Sequence, residues 1–195
     1  MRLGSLLRAG LVAAGLFSAS QASALLLTMG GDYSNNSSGM TYSDRPAVAA
    51  VPREHVSYNG PYSPGTIIVS TAERRLYLVL PDHSALKYGI GVGRPGFTWG
   101  GELRVSMKKE WPDWTPPAAM LKRRPDLPRH MKGGIDNPLG ARAIYLGSSE
   151  YRIHGSNEPD TIGQAVSSGC IRMTNNDVQD LYERVSVGAK VVVQN

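Results

Sequence analysis

The chain of 195 residues holds a single cysteine, Cys170, and His154 stands sixteen residues before it. A thiol attacks at neutral pH when a base or a positive field favours its thiolate form. Histidine is the side chain best suited to supply that base. Ser167-Ser168-Gly169 leads into Cys170. Residues this small let the backbone N–H groups of Ser168, Gly169 and Cys170 approach a reacting centre and face an oxyanion. Gly169 can also adopt a turn conformation barred to other residues. A lone thiol is either inert and buried or kept for its reactivity. On spacing alone the pair leaves both open.

Both residues must be held by elements that end or begin beside them. Tyr151–His154 reads as a short strand with His154 at its end, and Cys170 lies just before a helix. In residues 174–185 the apolar positions fall at Val178, Leu181, Tyr182 and Val185, the stripe of a half-buried helix. Thr174 and Asp177 form a weak capping box, and Gly188 is expected to close the far end. Upstream, Thr66–Ser70, Arg75–Leu80, Ala85–Val92, Leu103–Met107 and Ala143–Leu146 are β-rich, and Ala189–Val193 supplies a last strand. The fold class is therefore mainly β with one late amphipathic helix. Residues 108–140, rich in Pro and Gly, form a long inserted loop of the size that usually serves function. Trp111 and Trp114 sit in it and are candidates for a lid over a bound ligand, or for a cap on a small core.

The ends and the composition narrow the class. Arg2 and Arg8, an apolar or small run from Ala9 to Ala19, and Ala22-Ser23-Ala24 read as a signal peptide over residues 1–24, cleaved or retained as an anchor. Residues 25–64, with Ser, Asn, Gly and Pro throughout, read as a flexible or loosely docked lead-in, and residues 65–195 as the folded domain. Export to the periplasm or cell envelope is the expectation, with no stable membrane span after cleavage. Lys and Arg number 21 against 16 Asp and Glu, a net charge of +5, in no dense basic run; nucleic acid is not expected as a partner. One cysteine excludes a disulfide framework and any multi-cysteine zinc site. His55, His83 and His130 occur in turn or Pro-rich contexts without metal-ligand spacing, so neither metal nor cofactor is expected. Gly89, Gly91 and Gly93 are not a nucleotide loop, because no helix follows them.

Ile153-His154-Gly155-Ser156-Asn157-Glu158-Pro159 followed by Ser167-Ser168-Gly169-Cys170-Ile171-Arg172-Met173 resembles the signature of the L,D-transpeptidase (YkuD-type) catalytic domain. Arg75–Leu78, Val92–Gly96, Trp114–Pro117 and Asn137–Ala143 extend the resemblance, in the family's order, over roughly residues 64 to 195. It implies a β-sandwich-like fold, Cys170 as nucleophile, His154 as base and the Gly155 carbonyl as orienter of the imidazole. It further implies peptidoglycan stem peptides as donor and acceptor. The thiol attacks the carbonyl of the third stem residue, D-Ala leaves, and an amine takes the acyl group to form a 3→3 cross-link. The alternatives are water as acceptor, an envelope protein's amine as acceptor, or a silent wall-binding module. Two departures stand out. Ser168 occupies a position where the family often has His, so His154 is the one base of the motif. Arg172 stands where many members have Asn. It could grip a substrate carboxylate or tie its loop to the helix. Ser167, Arg172, Trp111 and Trp114 complete the expected substrate-binding set.

Overall fold

The computed structural model describes residues 51–195; the expected signal peptide and most of the lead-in lie outside them. Among the described residues there are eleven strands: β1 (Glu54–Ser57), β2 (Ile67–Ser70), β3 (Arg75–Val79), β4 (Ser84–Gly89), β5 (Val92–Gly93), β6 (Gly101–Glu110), β7 (Arg142–Leu146), β8 (Arg152–His154), β9 (Ala165–Ser167), β10 (Ile171–Arg172) and β11 (Lys190–Gln194). Two helices, α1 (Ala118–Arg123) and α2 (Asn175–Arg184), and a 3-10 turn at Pro159–Thr161 complete the set. The fold is mainly β, as the sequence predicts.

Nine strands form one mixed sheet in the order β1-β4-β3-β2-β11-β6-β7-β8-β10, while β5 and β9 pair separately. The ten-residue β6 joins its two halves. Residues 101–104 pair with β11, residues 105–110 pair with β7, and an irregularity between Val105 and Met107 breaks the register at the start of the β7 pairing. A bulge of this kind bends a strand and raises its twist, which lets one strand serve both walls of a core. That core takes Ile67, Val69, Leu76 and Leu78 from one half, Ile144, Leu146, Ile153 and Ile171 from the other, Val178 and Leu181 from α2, and Val185 just behind it. β2 and β11 are buried on both faces, and their Ile-Ile-Val and Val-Val-Val runs lack alternation accordingly. β3 alternates instead, with Leu76 and Leu78 inward and Arg75 and Tyr77 half-buried.

Three elements differ from expectation. Glu54–Ser57, within the lead-in read as flexible, forms β1 and pairs antiparallel with β4; its polar residues gave no strand periodicity. His55 accordingly lies on a strand, where its Nε2 is 3.1 Å from Ser84 Oγ. Gly188 does not cap α2. The helix ends at Arg184 with an extended Val185 behind it, and Gly188, at φ +90°, makes the turn into β11. The long loop is shortened by β6 and built around α1. Buried Asn137 stitches its base, donating from Nδ2 to the Pro112 and Lys132 carbonyls at 3.1 and 3.0 Å while Oδ1 accepts from Leu139 N at 2.9 Å.

At the start of α2, Thr174 Oγ1 accepts from Asp177 N at 3.1 Å and donates to Asp177 Oδ2 at 2.9 Å. Removing an N-cap hydroxyl costs about 1 kcal/mol. Thr174→Ala is therefore expected to lower the stability measured by urea unfolding by about that amount, and an unchanged midpoint would show that the cap contributes nothing.

Candidate active site

The site is made by two short strands that pair in parallel. Ile171 of β10 lies opposite Ile153 of β8, and Arg172 lies opposite His154. Partners in a ladder share a face and neighbours alternate. Ile153 and Ile171 are buried in the core. His154 and Arg172 therefore point to the other side, and the same alternation turns Arg152 and Cys170 that way. All four line one cleft, walled by Trp114, Pro117, Met120, Pro138, Leu139 and Tyr151. The sixteen residues separating His154 from Cys170 loop out through the 3-10 turn and β9 and return in register.

His154 is buried, and its Nδ1 lies 2.6 Å from the Gly155 carbonyl. A carbonyl only accepts, so Nδ1 donates, and the neutral ring keeps its lone pair on Nε2. Burial pushes the His154 pKa down to about 3; the Arg172 and Arg152 charges add to this, and the Gly155 carbonyl opposes it. Gly155 has no room for a side chain, since a Cβ there would meet Asn175 Oδ1. That oxygen accepts from Ala141 N at 2.9 Å and Ser156 N at 3.2 Å, which fixes the peptide carrying the orienting carbonyl. The first residue of α2 thus acts on the histidine ring through the backbone.

Cys170 is half-buried, and its Sγ donates to the Glu150 carbonyl at 3.7 Å. Burial pushes the thiol up, while the charge of Arg152, its backbone N–H and the charge of Arg172 pull the other way. Both shifts have one sense: the resting pair is a thiol and a neutral imidazole.

The turn before Cys170 is held from both sides. Gly169 takes φ +106°, and a Cβ there would approach Tyr151 Cε1 to 2.7 Å. Trp99 stacks on Tyr151 with centroids 4.3 Å apart and donates from Nε1 to the Gly169 carbonyl at 2.8 Å. Ser167 Oγ donates to the Cys170 carbonyl at 2.6 Å and accepts from Gly169 N at 3.1 Å. Two expectations change here. The Gly169 N–H is engaged within the turn, whereas the Ser168 and Cys170 N–H groups carry no such bond among the described residues. Ser167, expected to touch substrate, lines the cleft but is buried, with its hydroxyl engaged in the turn. Ser168, in place of the family's frequent His, accepts from Arg94 Nη1 at 3.1 Å.

The two tryptophans part company. Trp114 is buried and lines the cleft, bridged to Met131. Trp111 is 42% exposed and lies outside the lining; Pro117 and Met120 at α1 line the cleft instead. Arg172 lines the cleft but is ion-paired to Glu158 at 3.1 Å and bonds Thr161 Oγ1 at 3.3 Å. It ties the cleft to the 3-10 turn, and not to α2. Trp99, Tyr151, Arg152 and Asn175 are site residues that the sequence did not single out. Of these, only Arg152 had a local signal, two positions before His154 and so on its face.

A family model of the YkuD L,D-transpeptidase catalytic domain matches residues 64–193. The chain belongs to this family. The L,D-transpeptidase resemblance extends to curated relatives, among them the probable L,D-transpeptidase ErfK/SrfK of Escherichia coli K12, 40% identical over 136 residues, which are 65% of this chain and 43% of that one. The chain thus spans under half the length of such relatives. L,D-transpeptidase 3 from Mycobacterium tuberculosis superimposes with TM-score 0.55 at 18% identity, over 67% of this chain and 60% of that one, a likeness of fold. A Brucella melitensis structure named as a probable carnitine operon oxidoreductase shares 43% identity over 78% of this chain and 98% of that one, TM-score 0.50. The L,D-transpeptidase domain has no dinucleotide fingerprint at Gly89, Gly91 and Gly93. These residues end β4 and line β5, and no helix follows before β6. A Cβ on Gly93 would meet the Phe97 carbonyl.

The histidine also couples pH to stability. Its folded pKa of about 3 lies below the unfolded value of 6.5, so the unfolded chain binds a proton that the folded chain refuses. That contribution is complete above pH 6.5 and is lost as pH falls toward 3, up to roughly 5 kcal/mol at 1.36 kcal/mol per unit. His154→Gln is expected to flatten the fall in melting temperature between pH 6.5 and 4. An identical acid slope in both proteins would contradict a buried, neutral His154.

Proposed function

We propose that the chain is an exported peptidoglycan L,D-transpeptidase acting in the periplasm or cell envelope. The observation that carries this reading is the neutral His154, its Nε2 lone pair left free by the Gly155 carbonyl, lining one cleft with Cys170. In the first half-reaction Nε2 takes the thiol proton as Sγ attacks the carbonyl of the third stem residue. The N–H groups of Ser168 and Cys170 face the oxyanion. Collapse of the intermediate breaks the amide, His154 gives its proton to the departing nitrogen, and D-Ala leaves a thioester behind. In the second half-reaction an amine loses a proton to Nε2 and attacks the thioester, and the thiol departs reprotonated.

The walls suit this sequence. Pro117, Met120, Pro138 and Leu139 present apolar surface against an acyl chain, and excluding water there favours an amine over hydrolysis. The lead-in and the apolar N-terminal run support export.

The protein incubated with purified tetrapeptide muropeptides is expected to yield dimers lacking one D-Ala, read by mass spectrometry. Tripeptide alone would make water the acceptor, and peptide-bearing adducts would make it a protein amine. Cys170→Ala is expected to lose turnover by more than about 10³-fold while keeping its melting temperature. Near-normal turnover in that variant would overturn the mechanism. Sacculus binding with no product from either protein would favour a wall-binding module.

A further inference from the structure

Four cationic or anionic side chains approach the cleft, and they are not equivalent. Arg172 is neutralised by Glu158, and Arg94, at the neighbouring turn, is committed to Ser168 Oγ and lies 3.9 Å above the Phe97 ring. Arg152 lies 5.5 Å from the Tyr145 ring centroid but has no carboxylate partner among the described residues. Its Nε and Nη2 donate to the Glu150 carbonyl at 3.3 and 3.2 Å, the same oxygen that accepts from Cys170 Sγ at 3.7 Å. One carbonyl thus clamps the guanidinium beside the sulfur and leaves the remaining N–H groups of Arg152 uncommitted. A guanidinium in that state is built to take a carboxylate.

Resting on the transpeptidase reading, we infer that Arg152 is the specificity-determining residue for a carboxylate borne on the carbon next to the reacting nitrogen. The leaving D-Ala has this pattern, with its carboxylate three bonds from the carbonyl carbon that Sγ attacks. An incoming α-amino acid amine has it too, since the entering nitrogen takes the place the leaving nitrogen vacates. One guanidinium fixed beside the sulfur therefore serves both half-reactions. A water molecule or a lysine ε-amine presents no such group. Glu150, exposed at the rim with no ion pair among the described residues, adds a negative charge that suits the ammonium of an approaching zwitterion. The acceptor class is thus an α-amino acid end, and the assignment shifts carboxylate recognition from Arg172, which is already paired, to Arg152.

Binding to the Cys170→Ala protein tests this without turnover. Tetrapeptide with a free terminal carboxylate is titrated calorimetrically against the same peptide carrying a terminal carboxamide, and against one amidated on the side chain of its third residue. The terminal amide is expected to bind at least tenfold more weakly, and the side-chain amide about equally to the free peptide. Adding Arg152→Gln should erase the preference, and Arg152→Lys should restore part of it, with thermal melting confirming that each variant is folded. Equal affinity for both termini, a preference that survives Arg152→Gln, or selective loss on side-chain amidation would each overturn the assignment. Loss of the transpeptidase reading shows separately, as absent product from the protein with Cys170 intact, and leaves the binding preference to be judged alone.

Discussion

The parallel pairing of β8 with β10 is the constraint on which the site depends. It is only two residues long in register, Ile171 with Ile153 and Arg172 with His154, yet it decides which side chains face the cleft. Slipping a strand by one residue exchanges its faces, and here that would put His154 into the core and an isoleucine into the cleft. The register is held from the core side, where Ile153 and Ile171 are buried, and by β7, which pairs with β8 on its other edge. Met173 N donates to the His154 carbonyl at 2.8 Å, extending the ladder to the threshold of α2. Hydrophobic burial thus sets the chemistry on the opposite face.

Around that pairing the site is preorganised by backbone more than by side chains. A carbonyl selects the histidine tautomer, another holds both the thiol and a guanidinium, and a turn with a left-handed glycine presents two N–H groups that carry no bond among the described residues. Second contacts lock each of these: Asn175 behind Gly155, Trp99 behind Gly169, Ser167 within the turn. Groups fixed in this way need little reorganisation when charge develops. The cost is burial of both titrating groups, which leaves the resting pair uncharged and, in the proposed reaction, makes proton transfer part of the attack.

Much of this was legible in residue types. The strands β2, β3, β6 and β7 and the helix α2 announce themselves through β-branched runs and a 3.6-residue stripe, and Cys170 and His154 through their chemistry and the residues around them. What escaped depends on tertiary contact. β1 is polar and becomes a strand only because β4 offers an edge. β9 and β10 are too short for periodicity to register. Asn175 looks like an ordinary first-turn residue until Ala141 and Ser156 arrive from elsewhere in the chain. Trp111 and Trp114, three apart in sequence, separate because Trp111 sits at φ +40° with its N–H bonded to the Ala141 carbonyl, while Trp114 pairs with Met131. The hydroxyl bonds of Ser167 escaped for a similar reason, since a small residue near a nucleophile serves equally well to touch substrate or to brace the turn.

The central claim is that Cys170 and His154 rest as an uncharged pair. The pH dependence of Cys170 alkylation by iodoacetamide, followed by intact mass from pH 4 to 10, tests it most directly. The rate is expected to climb with pH through one inflection above the ordinary thiol value of about 8.5, with no reactive fraction on the acid side. A plateau of reactivity below pH 6 that disappears in His154→Gln would reveal a thiolate–imidazolium pair and contradict the account.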